Sequence, residues 1–415
     1  MKLCIHRGSK EIGGSCVELE QDGYRILLDL GLPLDLEFED AALPSVKGLQ
    51  EPDPTMLGIV LSHGHRDHWG LLPKVKQPID VYLGRRTLAI MRAAAPFIPD
   101  GYAPDPAVAY EHRKPFSLGP FRVSPYLMDH SGFDAYSLLI EAGGKRLFYT
   151  GDVRAHGRKA KLFERLIAQP PESIDVMLME GSSLSRLDDE GRFETEAEIE
   201  QRLVDAASRT PGMLLVACSV QNIDRVVSVY RAARRSGRQL IVDAYGAEVL
   251  KATETPSIPK PADDWQDVKV YIPQAQRRML VRNGIAPIVE AYKGRRIFPE
   301  RLPDETGKSV MIVRPWMLSD LHLVGAHTGA RAIWSQWEGY LAREAGLKFS
   351  AKCREFGIPT ETIHTSGHAD VYSLKRLAAA ISPKRLIPIH TFFPDRFGSL
   401  FVNVTPTEDG RWEAI

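Results

Sequence analysis

The sequence predicts an α/β protein in which one strand-rich fold is interrupted by a second, parallel α/β unit. Three observations predict it. The cluster His63, His65, Asp67 and His68 directly follows an apolar run, 57–61, that reads as a buried strand. Lone ligand-type residues recur where later strand-like runs end, at Asp29, His130, Asp152, Glu180 and His390. Between residues 191 and 345 the pattern changes to strands alternating with helices, which is how parallel sheets read in sequence.

Composition sets the class. The chain has 415 residues, enough for two or three domains, with 44% apolar and 26% charged residues, as in ordinary globular proteins. Lys+Arg and Asp+Glu both number 53, so the net charge is zero, which excludes only a protein that is basic throughout. Cys4, Cys16, Cys218 and Cys353 are scattered with no Cys-x-x-Cys pair, and read as buried free thiols in a reducing compartment. The N-terminus lacks a signal-peptide apolar region and no run approaches membrane-spanning length. The expectation is a cytoplasmic enzyme with no membrane partner.

Taken in order, residues 2–6 and 15–19 read as strands on either side of a glycine-rich turn. Asp22-Gly23 signals a hairpin into the strand 24–28, which ends at Asp29. The His-x-His-x-Asp-His motif comes next. Imidazole and carboxylate suit zinc or manganese, and four such groups within six positions are too many for one ion with an open site. Two adjacent metals are the expectation. A short helix is expected from 71, a strand at 81–83, a helix at 85–95 ended by Pro96, and a strand at 121–123 before His130. A hairpin at 136–150 delivers Asp152, and the strand 175–179 delivers Glu180.

The second unit opens on the capping box Thr195-Glu196-Ala197-Glu198. Strands are expected at 213–218, 239–243 and 268–272, with helices at 223–235, 247–252 and 276–282 between or after them. This stretch also concentrates the basic residues, among them Arg231, Arg234, Arg235, Arg277, Arg278, Arg282, Arg295 and Arg296. Each run alone reads as a solvated helix face; together they point to an anionic polymer as substrate. Residues 337–356 read as mostly helical. The strand 360–363 leads into His364-Thr365-Ser366-Gly367-His368, and the strand 385–389 ends at His390.

These motifs, in this order, resemble the metallo-β-lactamase superfamily and, within it, the ribonuclease J-like β-CASP nucleases. Asp29, His63-x-His65-x-Asp67-His68, His130 and Asp152 match the superfamily signature. Glu180, Ser366-Gly367-His368 and Pro388-Ile389-His390 match the β-CASP additions, and Lys10-Glu11-Ile12-Gly13 resembles the family's N-terminal turn. Two departures stand out. The chain stops soon after His390, where ribonuclease J enzymes usually carry a further domain, and it has Thr391-Phe392 where the family tends to Gly-Glu.

The resemblance implies a metallo-β-lactamase αββα sandwich interrupted by a Rossmann-like β-CASP domain. Residues 1–190 and 346–415 would form the sandwich and 191–345 the insert. It implies two zinc ions, with manganese as the alternative: His63, His65 and His130 hold one, Asp67, His68 and His390 the other, and Asp152 bridges them. Asp29 would orient the histidine loop. Histidine rather than valine at 390 is the family's RNA-processing pattern.

The implied activity is hydrolysis of single-stranded RNA, internally or from the 5′ end, by hydroxide activated between two metals about 3.5–4 Å apart. Asp67 would hold the hydroxide, and His368, paired with Glu180, would protonate the leaving oxygen. A phosphate pocket would comprise Ser219, Asn222, Arg225, His364 and Ser366. DNA is the alternative polymer, and the oligomeric state, with a homo-oligomer among the alternatives, is left open. A small-molecule thioesterase or lactonase of the same superfamily, and a catalytically dead scaffold, are the rival readings.

Overall fold

The structure, a computed structural model, describes residues 1–184, 186 and 191–415. The boundary expected at residue 190 falls on residues outside those described. The chain forms two compact units: Met1–Leu88 with Tyr102–Phe193 and Gly367–Ile415, and Ala89–Gly101 with Glu194–Ser366.

Two sheets build the first unit. One orders its strands Trp412–Ala414, Lys2–Arg7, Cys16–Gln21, Tyr24–Leu28, Met56–Val60, Val81–Gly84, Ala107–Tyr110. The other runs Arg385–Ile389, Val176–Glu180, Lys145–Tyr149, Tyr136–Ala142, Phe121–Leu127, Phe116–Leu118. Alternate residues on these strands point to one face. Val17, Leu19, Ile26 and Leu28 of the first sheet therefore meet Val123, Leu138, Ile140, Leu147, Leu178 and Ile387 of the second in one core. The opposite face of the second sheet, at Leu139, Phe148, Met177 and Met179, packs on helices Ala160–Ala168 and Val371–Ile381 through Phe163, Leu166, Leu374 and Leu377. The first sheet's outer residues Leu27, Ile59 and Leu83 are buried too.

Strand direction positions the site. Tyr24–Leu28 and Met56–Val60 run parallel, as do Lys145–Tyr149, Val176–Glu180 and Arg385–Ile389. Parallel neighbours bring their carboxyl ends to the same edge, and each of these strands ends on, or is followed by, a residue of the predicted site. The hairpin also forms as expected: Asp22 and Gly23 both take positive φ, 53° and 83°, matching the strand twist.

The second unit is a seven-stranded sheet with every neighbouring pair parallel, in the order Arg296–Ile297, Val268–Tyr271, Gln239–Val242, Ser309–Ile312, Leu214–Ala217, Arg331–Trp334, Thr360–Thr362. Helix Glu196–Ser208 starts at the predicted capping box, with both reciprocal bonds present. Residues 337–356 are mostly helical as expected, as a 3-10 segment, Glu338–Ala342, and helix Glu344–Glu355. One expectation is corrected here: that helix and the strand after it belong with the second unit rather than the first, since Phe349 and Cys353 sit in its core and Thr360–Thr362 extends its sheet. Strands Ser309–Ile312 and Arg331–Trp334 had no expectation, because four-residue apolar runs are ambiguous by periodicity. Among the described residues no helix is long and apolar enough to cross a membrane.

Leu138 is fully buried between the two sheets, whereas Val108 is largely exposed. Leu138→Ala is expected to cost about 2–5 kcal/mol of stability and Val108→Ala about 0.5 kcal/mol or less, read as the shift in urea denaturation midpoints.

Candidate metal centre

Four strand ends and one loop supply the cluster. After Met56–Val60 the chain reaches Ser62 and His63, then makes a single helical turn, Arg66–Trp69, that turns His65, Asp67 and His68 to one side. Asp29 and His390 each follow a strand directly and take left-handed φ values of 60° and 54°; Gly151, just before Asp152, has φ 54°. A left-handed residue breaks the strand's alternation and re-aims the side chains at its end. Gly31 lets the chain pass under the histidine loop, since a Cβ there would lie 1.7 Å from the Asp67 carbonyl oxygen. At Gly132 a Cβ would crowd His63, His65 and His130 at 3.1–3.4 Å.

Donor atoms gather into two sets sharing one carboxylate. His63, His65, His130 and Asp152 form the first, and Asp67, His68, Asp152 and His390 the second, with the donor atoms of each within 4.8 Å of one another. Asp152 Oδ2 lies 3.6 Å from His63 Nε2, 3.8 Å from His130 Nε2 and 3.2 Å from His68 Nε2. His390 Nε2 lies 3.7 Å from Asp67 Oδ2 and 3.8 Å from Asp152 Oδ1. These are the groupings that the resemblance implies.

The cluster fits divalent cations. His63 Nε2, Asp152 Oδ1 and His390 Nε2 are buried with no hydrogen-bond partner among the described residues. Leaving such atoms unpaired costs about 1–3 kcal/mol each, and their convergence fits cations held by the two sets. Protonation points the same way. Burial, and then the neighbouring imidazoles His68 and His130, hold His63 well below the usual histidine value. Burial likewise lowers His65, His130 and His390, leaving them neutral as metal ligation requires. His68 is the exception: burial opposes its charge, but Asp152, Asp29 and Asp67 outweigh it and raise it well above the usual value. Asp152, despite burial, is held well below the carboxylate range by His390, His68 and His368.

Behind the cluster, Asp29 accepts four hydrogen bonds: from Ser62 N at 2.6 Å, Ser62 Oγ at 2.8 Å, His68 Nδ1 at 2.7 Å and Tyr149 Oη at 2.7 Å. On the other side the buried pair Arg154–Asp129 supports the segment carrying His130. Sequence reasoning missed Ser62, Tyr149, this pair, and Ser15, whose hydroxyl lies 2.9 Å from His390 Nδ1. Ser62 adjoins the motif, but Tyr149 is one phenol in an apolar strand and Ser15 reads as a turn residue.

Glu180 and His368 meet beside the shared carboxylate. His368 Nδ1 lies 3.0 Å from Glu180 Oε2 and 3.8 Å from Asp152 Oδ2. Glu180 is fixed in turn by the N–H of Val153 at 2.8 Å and the hydroxyl of Ser182 at 2.8 Å. Burial lowers His368, and Glu180 followed by Asp152 more than reverses this, so the imidazole titrates above its ordinary value.

The second unit holds the residues expected to bind phosphate, with one correction. Arg225 is fully buried. Its guanidinium donates to Glu196 through Nε at 3.2 Å and Nη2 at 3.1 Å, and to Ser335 Oγ at 2.6 Å, with His364 Nδ1 3.4 Å away. A buried guanidinium already neutralised by a carboxylate braces its neighbours; it is not presented to a phosphate. Asn222 Oδ1 accepts from Arg225 N, capping helix Ile223–Arg235, and Ser219 Oγ accepts from Gln221 N. Ser366 is buried and His364 half-buried. Glu196 and Ser335 are partners that sequence reasoning did not name.

Asp29→Ala would leave Ser62, His68 and Tyr149 without their shared acceptor. It is expected to weaken divalent-cation affinity about 10–100-fold, measured by competition with a chromophoric chelator.

Comparison with known proteins agrees with this geometry. Residues 24–210 match the Beta-lactamase superfamily domain. Ribonuclease J of Mycobacterium tuberculosis (strain ATCC 25618 / H37Rv) is 27% identical over 248 residues, covering 56% of this chain and 42% of that protein. Ribonuclease J of Sinorhizobium meliloti is 21% identical over 386 residues, covering 89% of this chain and 64% of that protein. That of Thermus thermophilus is 26% identical over 266 residues, 59% and 44% of the two chains. The chain thus spans less than two thirds of the length of each. A solved protein of unknown function from Enterococcus faecalis V583 shares the fold, with a TM-score of 0.80 at 19% identity over 100% of this chain and 99% of that one. Residues 24–210 are thus similar to a Beta-lactamase superfamily domain, and the chain is similar in sequence to ribonuclease J.

Proposed function

We propose that this chain is a divalent-cation-dependent phosphodiester hydrolase acting on single-stranded RNA. The observation that carries the reading is the sharing of Asp152 by two donor sets directly beside the Glu180–His368 pair. A site for hydrolysis of a lone small ester needs the donor sets but not a second, separately braced acid–base pair. The relatives named ribonuclease J, across up to 89% of this chain, support RNA as the polymer.

Imidazole and carboxylate donors suit zinc, with manganese the alternative. Cations held by the two sets supply charge neutralisation at the phosphate and bring a water toward a neutral pKa.

The chain's own groups do the rest. Asp67, partly exposed at the cluster's edge, accepts a hydrogen bond from the attacking water and orients it toward phosphorus. Glu180, held by Val153 and Ser182, engages Nδ1 of His368, so the transferable proton sits on Nε2. His368 gives that proton to the departing ribose 3′-oxygen, leaving a 5′-phosphate and a 3′-hydroxyl. Glu180 stabilises the protonated imidazole and so keeps the acid loaded at neutral pH. In the second unit Ser219, Asn222, His364 and Ser366 are assigned to the terminal phosphate of the substrate, with Arg225 and Glu196 setting the position of His364.

The test is incubation of zinc-loaded protein with single-stranded RNA labelled internally and at the 5′ end, beside DNA of equal sequence. RNA cleavage that vanishes in His63→Ala supports the reading, and early labelled mononucleotide marks 5′-to-3′ action. Cleavage confined to DNA, or to thioester and lactone substrates, overturns it. His368→Ala is expected to slow cleavage about 10²–10⁴-fold while retaining bound cation by elemental analysis.

A further inference from the structure

The first unit holds a cavity of about 290 Å³ that shares no residue with the metal centre. It lies between the turn at His112–Arg113 and the last turns of helix Ala160–Ala168. Its floor is apolar, made by Met128 after strand Phe121–Leu127 and by Leu162 and Leu166 of the helix. Leu162, Arg165, Leu166 and Gln169 recur at helical spacings of three and four, so one face of the helix supplies both floor and charge. Leu166 is buried and Arg165 exposed.

Two hydrogen bonds fix the opposite wall to strand Phe121–Leu127. The Arg113 N–H donates to the Pro125 carbonyl at 2.8 Å, and the Leu127 N–H donates to His112 Nδ1 at 2.9 Å. An imidazole that accepts at Nδ1 carries its hydrogen on Nε2. Burial, then Arg113 and Arg165, lower the pKa of His112, so the ring stays neutral. Arg113 itself has φ 55°, a left-handed conformation that a residue other than glycine keeps only when its surroundings impose it. Its guanidinium lies 5.8 Å from the centre of the Tyr126 ring, which also lines the cavity.

Charge here is one-sided. Arg113 and Arg165 line the cavity, and among the described residues no carboxylate does. The carboxylates nearest to them in sequence are engaged elsewhere: Glu111 with Lys114 at 2.6 Å, and Glu164 with Arg376 at 2.6 Å. Two guanidiniums and an N–H donor above an apolar floor match a ligand with an anionic end and an apolar body. A guanidinium fork suits phosphate geometry, and Tyr126 with Arg113 offers stacking faces to a planar ring. The volume lies at the lower limit of small-molecule sites, about 300–1,000 Å³, which suits one nucleotide and not a strand.

We propose that this cavity binds a nucleoside 5′-monophosphate. Arg113, Arg165 and the Nε2–H of His112 hold the phosphate, and the base lies against Leu162, Leu166 and Tyr126. Such a molecule is what cleavage from a 5′ end releases, but the site is built from its own residues and stands whether or not the chain cleaves RNA.

The experiment titrates the metal-loaded full chain with AMP, adenosine and inorganic phosphate, following the amide resonance of Leu127, whose N–H forms part of the wall. It is repeated with Arg165→Gln and Arg113→Gly. Both side chains are exposed, so neither substitution opens the core, and glycine keeps the left-handed turn. AMP is expected to shift the Leu127 resonance saturably, and each substitution to weaken that binding about 10–100-fold. Adenosine and inorganic phosphate are each expected to bind there at least about 10-fold more weakly than AMP. No Leu127 shift with AMP overturns the site. An AMP affinity unchanged in both variants overturns the role of the arginines, and adenosine or phosphate binding as tightly as AMP overturns the ligand class. Failure of RNA cleavage with AMP binding intact overturns the nuclease reading alone.

Discussion

The buried carboxylate of Asp29 is the constraint on which the rest of the first unit depends. It stands at the end of strand Tyr24–Leu28 in one sheet and accepts from Ser62, at the end of the neighbouring strand. It accepts equally from Tyr149, which belongs to the other sheet, and from His68 on the histidine loop. One side chain thus ties two sheets and the loop together at the edge where the parallel strands finish. A fully desolvated carboxylate is stable only when its lone pairs are satisfied, and four donors meet that condition. The same donors fix the direction of the histidine loop, so folding and site assembly use one set of bonds.

Backbone strain sits at the same edge. Asp29 and His390, neither of them glycine, hold left-handed φ values where their strands end. Such conformations cost about 1–3 kcal/mol each and persist only when the surroundings over-determine them. Asp29 is held by its four donors, while His390 is held by Ser15 and by its N–H bond to the Gly8 carbonyl at 2.7 Å. Without the left-handed turn, His390 would continue the alternation of Arg385–Ile389 and could not also face Asp67.

The sequence makes the parts of this site legible more readily than their wiring. A dense motif such as His63 to His68 shows itself because ligand-type residues are rare beside an apolar strand. Asp152 and His390 become visible through their place at strand ends and through the family order. The spacing does not reveal Ser15 or Tyr149, since a serine in a turn and a tyrosine in an apolar strand have ordinary structural explanations, and their contacts with His390 and Asp29 depend on the packing of two sheets. Arg225 shows the converse. An arginine near a helix start reads as an anion ligand, yet Glu196, nearly thirty residues earlier in sequence, takes its charge. The limits of the second unit were obscured for a similar reason. Helix Glu344–Glu355 has no mark in its own residues of which sheet its Phe349 will cover.

Charge is the last part of the argument. The cluster brings His63, His65, His68, His130 and His390 around Asp67 and Asp152 within a largely buried volume. Most of these imidazoles are driven neutral by burial, while His68 is driven to hold a proton among three carboxylates. A divalent cation held by the second set would supply positive charge there and would give partners to His390 Nε2 and Asp152 Oδ1, which have none among the described residues. The donor atoms of the cluster thus converge as a divalent cation requires, and Asp29, with its bonds from Ser62, His68 and Tyr149, holds the histidine loop in that arrangement.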